Sequence, residues 1–444
     1  MGSQSGKGAK VSAKGGKLMD EWLPSKVAIA DFVHGTLASD PGCDIGDGIG
    51  RLEVLVRRDG RPVGMVSLPV PQDTSTLADD LVAAAAELPA AAGTPWSDAE
   101  PTSWPTVTVA IPTVFGRMEK LCQAVASLAR LDYPEFEIVL VDNRAVPGEA
   151  DHARVRGVTS SPVVILHEPE PGISAARNRA LRHTTHPYIA FTDDDVVVEP
   201  DWLRRIVRPF LDDPHVACVS GLVIPTELSS PEQSQFEHFY GGFHRTFVPV
   251  LHSGERPDAG DPLFPYAPGK FGTGNNMAFR VSALRELGGF DTTLGTGTPA
   301  RGGEDLASFI AILLAGGSIA FEPAAVIRHS HRGTAEEFRH QVFSYGVGLS
   351  AMYTSLLLAD ARHRREILHR LPNALRLFVS SGNGTIEKSD TGVSAPASLR
   401  VRQAAGIVAG PALYLRSRRQ HPRSLPPSAG PLGHTGAHHE TRSP

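Results

Sequence analysis

From Thr106 to about Leu211 the chain alternates short apolar runs with helix-period segments, and no other feature limits its fold as strongly. The runs Val107–Ile111, Phe136–Val141, Val163–Leu166 and Tyr188–Phe191 are too short for helices and read as strands. Leu121, Val125 and Leu128 fall on one face of a helix after the first strand; Ser174–Leu181 and Trp202–Leu211 supply further helices. Alternation of this kind predicts an α/β fold, a mostly parallel mixed sheet with helices on both faces. Ligands of such sheets bind beyond the carboxyl ends of the strands, so polar residues there matter most.

Carboxylates stand at two of those ends. One strand runs into Asp142-Asn143, another through Thr192 into Asp193-Asp194-Asp195. Three consecutive carboxylates repel one another, and burying them is costly unless a cation or donors compensate. An oxygen-only set favours Mg, Mn or Ca over zinc. The segment FTDDDVVV also fits the nucleophile strand of haloacid-dehalogenase-type phosphatases, although that pattern normally ends the first strand of its domain and here three strand-and-helix units precede it. A solvated strand exit is the plain alternative.

Further candidates follow. PGISAARNRAL opens a helix whose first-turn N–H groups, with Arg177, suit an anionic ligand. In GGEDLASFIAILL, Glu304 and Asp305 precede a helical apolar run, where a carboxylate is favoured and where a general base could sit. FEPAAVIRHSHR reads as a strand carrying His329 and His331, two positions apart and able to reach one metal ion.

Outside this region less is legible. Residues 1–20 form a basic Gly/Ser-rich tail without the apolar stretch of a secretory signal, and residues 21–90 a small α+β unit. In that unit Asp59-Gly60 between two apolar runs signals a hairpin, and Thr76–Leu88 an Ala-rich helix. Residues 91–105 read as a linker, 106–360 as the main domain, 361–415 as a helical extension and 416–444 as a Pro/Ser/Gly/His-rich disordered tail. No stretch reaches the roughly 18 apolar residues of a membrane span, the nearest being Tyr345–Ala359 and Ala404–Tyr414. Contact with the inner face of a membrane through the Arg-rich residues after Asp360 stays open, without a clear amphipathic pattern behind it. A net charge of -5 gives no drive toward nucleic acid. Three widely spaced cysteines, Cys43, Cys122 and Cys218, exclude a disulfide framework and fit a cytoplasmic protein.

Taken in order, VAIPT, VLVDN, PGISAARNRAL, FTDDDVVVEPDWL, GTGNNMAFR, LGGFD, GEDL and VIRH resemble the inverting family 2 glycosyltransferases of the GT-A fold, over about residues 107–332. The resemblance implies that Pro112, Thr113 and Asp142 hold the nucleobase and ribose of a nucleotide-sugar donor, with Arg177 nearby. It implies a DxD pair at Asp193 and Asp195, with Asp193-Asp194 as the other register, holding Mn or Mg together with His329; His331 is the fallback. Gly274, Asn275 and Asn276 would line the donor-sugar and acceptor region, and Asp305, beside Glu304, would be the base. The acceptor could be a glycan, a lipid-linked or a small molecule, and Thr226–Tyr266 is expected to form its loop. A noncatalytic nucleotide-sugar or carbohydrate-binding protein of the same fold is the alternative. A sugar-nucleotide pyrophosphorylase would need a Gly-rich phosphate loop, which VAIPTVFGR, with one Gly, does not supply.

Overall fold

The computed structural model describes residues 23–34, 36–38, 48–71, 74–240, 246–256, 261–381 and 395–421. The expected tail at 1–20, residues 422–444 of the tail expected at 416–444, Cys43 and parts of the expected acceptor loop lie outside the described residues, while residues 416–420 of that second tail are helical.

The N-terminal unit is a small sheet of β1 (Ser25–Val33), β2 (Thr36–Leu37), β3 (Arg51–Arg58) and β4 (Arg61–Pro69), with α1 (Leu77–Ala86) against one face. β3 and β4 form the expected antiparallel hairpin, and Asp59 and Gly60 both take the positive φ that a tight two-residue turn needs. The following Pro- and Ala-rich stretch is laid along the main domain. Trp96 is buried in the main core, and Ser97 N–H donates to Asp212 at 2.8 Å.

The main domain is built from β5 (Val107–Thr113), α2 (Met118–Leu128), β6 (Phe136–Asp142), α3 (Glu149–Arg156), β7 (Val163–His167), α4 (Ile173–His183), β8 (Tyr188–Thr192), β9 (Val196–Val198) and α5 (Trp202–Asp212). It continues through β10 (Val216–Pro225), β11 (Glu227–Leu228), α6 (Pro231–Tyr240), β12 (Val250–Ser253), β13 (Asn276–Arg280), α7 (Val281–Glu286), α8 (Glu304–Leu314) and β14 (Ser318–His329). Nine strands pair in the order β12-β14-β10-β13-β8-β5-β6-β7, with β9 beside β14. β7, β6, β5 and β8 run parallel, as do β10 and β14; β13 lies antiparallel between these two blocks. One face is covered by α2 and α5 around Leu121, Trp202 and Ile206, the other by α4, α7 and α8 around Ala176, Leu284 and Phe309. The strands are apolar on both faces because both are covered, which is why they read as unbroken runs.

Two features were not legible in sequence. β11 leaves the main domain and pairs with β1, and Val27 and Leu55 pack on Leu222, Ile224 and Phe321, so the small sheet closes over the back of the large one. Secondly, the residues expected as a helical extension, α10 (Ala361–Ser381) and α11 (Ala397–Gln420), pack with α9 (Ala335–Ala359) into a wall that the sequence did not foretell, α11 running past the boundary expected at 415. α9 and α11 cross at backbone contact: a Cβ on Gly346 would stand 2.2 Å from the Gln403 carbonyl oxygen, and one on Gly406 2.2 Å from that of Phe343. Among the described residues α9 is one helix long and apolar enough to cross a membrane, where the sequence reading expected none; 39% of its most apolar window is buried.

Candidate active site

The parallel strands deliver their carboxylates to one sheet edge because each turns there. Asp142 is the last residue of β6, and Asp193–Asp195 fill the turn between β8 and β9. α8 begins at Glu304, so Glu304 and Asp305 meet the same edge from the facing side. β14 ends at His329 beside the turn. A cavity of about 1570 Å³ joins these elements and extends under the wall of α9, α10 and α11. It is lined by Asp193, Glu304, Asp305 and His329 at one end and by Phe236, Tyr266 and Tyr353 farther out.

Charge at this edge is organised by two arginines. Arg177, 2% exposed, donates from Nη1 to Glu304 Oε1 at 2.7 Å and from Nη2 to the Gly274 carbonyl at 2.9 Å, and Nη2 lies 3.8 Å from Asp193 Oδ1. Arg117, at the start of α2, donates from Nη2 to Asp194 Oδ1 at 2.7 Å and from Nη1 to Asp195 Oδ2. Nothing in the sequence reading singled out Arg117. Its signal was position alone, an arginine shortly after the first strand, where a chain crossing the sheet edge can reach a neighbouring strand's turn.

Each member of the acidic triplet has a different environment. Asp194 is buried, accepts from Thr113 Oγ1 at 2.7 Å as well as from Arg117, and burial raises its pKa. Against the same burial cost, Asp195 is held below the ordinary carboxylate range, by His329 only at low pH where that ring is charged and by Arg117 and Arg332 throughout. Asp193 faces the cavity with an Oδ1 that has no hydrogen-bond partner; burial, only partly offset by Arg177, pushes its carboxyl up to about 7. Glu304 is likewise raised, first by burial and then by Asp305. Asp305 accepts from Gly274 N–H at 2.8 Å and from Leu306 N–H at 2.8 Å, which fixes its carboxylate plane. A Cβ on Gly274 would sit 2.9 Å from Asp305 Oδ2, so this approach requires glycine.

The histidines continue the cluster. His329 Nε2 lies 3.5 Å from Asp195 Oδ1, and its Nδ1 is 3.1 Å from His331 Nδ1. Burial drops the His329 pKa to about 4, so the ring is neutral near pH 7. His331, beyond the strand end, is buried and contacts Glu237 of α6 through Nε2.

Other expected residues are placed differently. Asn275 lines the cavity, but Asn276 is fully buried and does not. Asn276 donates from Nδ2 to the carbonyls of Leu222 and Ala325 at 3.0 and 2.9 Å, and accepts from Trp202 Nε1 at 2.9 Å, tying β13 to β10, β14 and α5. Pro112, Thr113 and Asp142 lie outside the cavity wall. Arg144, stacked over Phe115 at 4.4 Å, and His152 engage both Asp142 oxygens; against burial they lower that carboxyl's pKa. Of the expected acceptor loop, Phe236, Phe239, Leu263 and Tyr266 line the cavity.

Metal-binding capacity can be weighed on these contacts. Among the described residues no group of three or more His, Cys, Asp or Glu side chains is drawn together in metal-ligand spacing, and Arg117 spans two of the three aspartates. The donor types nonetheless suit a hard divalent cation: Asp195 and the neutral imidazole of His329 stand 3.5 Å apart, and Asp193, in the same turn, carries a buried oxygen without a hydrogen-bond partner. Five carboxylates (Asp193, Asp194, Asp195, Glu304, Asp305) meet the guanidinium groups of Arg117, Arg177 and the nearby Arg332, an excess of negative charge.

Comparison with known proteins agrees on the class of domain. Residues 108–288 match the family model described as Glycosyl transferase family 2. The chain is 31% identical over 240 residues to the pre-mycofactocin glycosyltransferase of Mycobacterium tuberculosis, covering 54% of this chain and 46% of that protein. It is 30% identical over 216 residues to the succinoglycan biosynthesis protein ExoM of Rhizobium meliloti, covering 47% and 62%. The chain thus spans about half of the first relative and under two thirds of the second. A mannosyltransferase from Pyrobaculum calidifontis, solved in complex with GDP-Man and Mn2+, aligns over 74% of this chain and 90% of its own at a TM-score of 0.43 and 19% identity.

Proposed function

Residues 108–288 are a family 2 glycosyltransferase domain, and from that premise we propose that the chain moves a sugar from a nucleotide-diphosphate sugar to an acceptor hydroxyl with inversion. The observation that carries this reading is one cavity bordered at once by Asp193, Asp305 and His329. Its volume of about 1570 Å³ exceeds the roughly 300–1,000 Å³ of a small-molecule pocket and leaves room for a donor and an acceptor together.

In this reading Asp305 receives the acceptor's proton as the hydroxyl oxygen attacks the anomeric carbon, and the diphosphate leaves from the opposite face. The Gly274 N–H holds the Asp305 carboxylate still, and Glu304 holds Arg177, whose charge steadies Asp193. Asp193, Asp195 and His329 would hold a divalent cation, Mn or Mg, while Asp194 stays with Thr113 and Arg117. When bound, that cation neutralises charge on the departing diphosphate. The nucleobase and ribose are assigned to Pro112, Thr113 and Asp142 at the ends of β5 and β6, where Arg144, partly exposed, would swing aside. The sugar enters beside Gly274 and Asn275. The acceptor side is assigned to α6 and the residues lining the cavity from Leu263 to Tyr266.

The test is a panel of nucleotide sugars with Mn2+. Release of nucleoside diphosphate, abolished by Asp195→Ala and by chelation, is expected. A chain that binds donors but turns none over, in any acceptor mixture, would instead be a noncatalytic binding protein.

A further inference from the structure

Helix α11 is apolar on two opposite sides, and the chain buries one of them. The inner side meets α9 at Gly406 and Gly410, where a Cβ on Gly410 would stand 2.7 Å from the Val347 carbonyl oxygen, and Leu399 and Tyr414 are buried on the same side. On the outer side Val401, Ala404, Ala405, Val408, Ala412 and Leu415 recur at helical spacing and are all exposed. They make one seam about 21 Å long, in which Val401 is 69% exposed, Val408 81% and Leu415 46%. Two opposed apolar sides cancel the one-sided pattern of an ordinary surface helix, which is why no amphipathic signal stood out in the sequence.

Positive charge borders this seam. α11 carries five arginines and no acidic residue. On the helix surface Arg402 and Arg416 fall along one side of the seam, Arg400 and Arg418 along the other, and Arg419 follows its end. Arg400 has a contact within the chain; Arg402, Arg416, Arg418 and Arg419 make no hydrogen bond or ion pair among the described residues. A polyanion such as a nucleic acid would use the arginines and leave the seam in water. A second copy joined along α11 would set arginines against arginines with no carboxylate on either helix to pair them. An anionic lipid surface satisfies both features, since apolar side chains enter the headgroup boundary while long flanking side chains reach the phosphates. The apolar run 404–415 is about 18 Å long as a helix, short of the roughly 30 Å hydrocarbon core, so α11 suits lying on a bilayer and not crossing it.

We propose that the outer face of α11 docks this chain on the surface of an anionic bilayer, Val401, Val408 and Leu415 entering the acyl boundary and Arg402, Arg416, Arg418 and Arg419 meeting lipid phosphates. The same helix supplies Arg402, Gln403 and Ile407 to the cavity wall, so docking brings that wall within about one helix diameter, roughly 10 Å, of the lipid. The surface stands apart from the acidic turn and does not depend on the reaction assigned to it.

The experiment is co-sedimentation of the full chain with vesicles of phosphatidylcholine alone and of phosphatidylcholine mixed with phosphatidylglycerol, with light scattering and an unfolding midpoint for every variant. Binding to the mixed vesicles and not to phosphatidylcholine, weakened by added salt, is expected. Val401→Ser with Val408→Ser removes apolar area at constant charge and should weaken the partition about 10-fold. Arg416→Gln with Arg418→Gln keeps the seam and should weaken it about 25-fold, about fivefold for each charge. All four positions are exposed, so the midpoints should hold, and Val408→Leu, which adds apolar area, should tighten binding. Equal binding to both vesicle types, or binding that either pair of substitutions leaves unchanged, overturns the proposal. A dimer that Val401→Ser with Val408→Ser turns into a monomer overturns it and assigns the face to a second copy. A chain that stays monomeric and binds no vesicle overturns it and leaves the face to a protein partner.

Discussion

Replacing Arg177 by Met isolates what the buried guanidinium does, because the substitution keeps most of the length and removes the charge. Glu304 is 6% exposed and loses its one ion-pair partner among the described residues in the variant; its escape is to take up a proton. In the unmodified protein burial already raises this carboxyl to about 7, so the folded state binds more protons than the unfolded one between about 4.5 and 7. Stability from this group is therefore complete at low pH and declines as pH rises to about 7, then levels. Without Arg177 the folded Glu304 carboxyl, and with it that of Asp193, stays protonated to higher pH, so the variant goes on losing stability above 7 at about 1.4 kcal/mol per pH unit for each group. Below pH 7 the difference between the two proteins should be only the lost hydrogen bond to the Gly274 carbonyl, about 1 kcal/mol. At pH 9 it should reach at least about 4 kcal/mol, the contribution of Glu304 alone, within the range for breaking a buried ion pair. Urea unfolding of both proteins across pH 5.5 to 9, without metal, reads this directly. A difference that stays constant over that range would refute the assignment of Arg177 as the counter-charge of Glu304.

Three other outcomes are expected. Asp305→Asn should lower turnover about 10²- to 10⁴-fold while donor binding in a thermal-shift titration stays intact; loss of donor binding to the same degree would argue against its role as base. Asn276→Ala strands the Trp202 indole N–H and the Leu222 and Ala325 carbonyls inside the core, so the urea midpoint should fall by the equivalent of about 3 kcal/mol, and an unchanged midpoint would contradict its place as a tie. Burial pushes the Asp193 carboxyl up to about 7, and a cation needs it ionised. Mn2+ affinity should thus rise up to about tenfold per pH unit from pH 6 to 7 and flatten above it, and a profile flat throughout would remove Asp193 from the ligand set.

What the sequence determined by itself was the parallel half of the sheet and the residues at its edge. Val107–Thr113, Phe136–Asp142 and Tyr188–Thr192 could be read as strands because burial on both faces leaves them continuously apolar, and a strand's end fixes where the next polar residue stands. Asp193 and His329 were legible for that reason, and Asp305 because it opens a helical apolar run. Periodicity carries no information about pairing across long sequence separations, so the antiparallel β13 and the docking of the small sheet through β11 were not. The same limit hid Arg117 and Glu237, whose partners lie 78 and 94 residues away along the chain. It also left Asn276 among the candidate ligand contacts, when its carboxamide is spent holding three elements together. Only the tertiary structure decided the division of labour within the triplet, because local sequence gives three identical carboxylates the same chemistry. Distant arginines, a threonine and a histidine make them different by raising or lowering the cost of burying each charge.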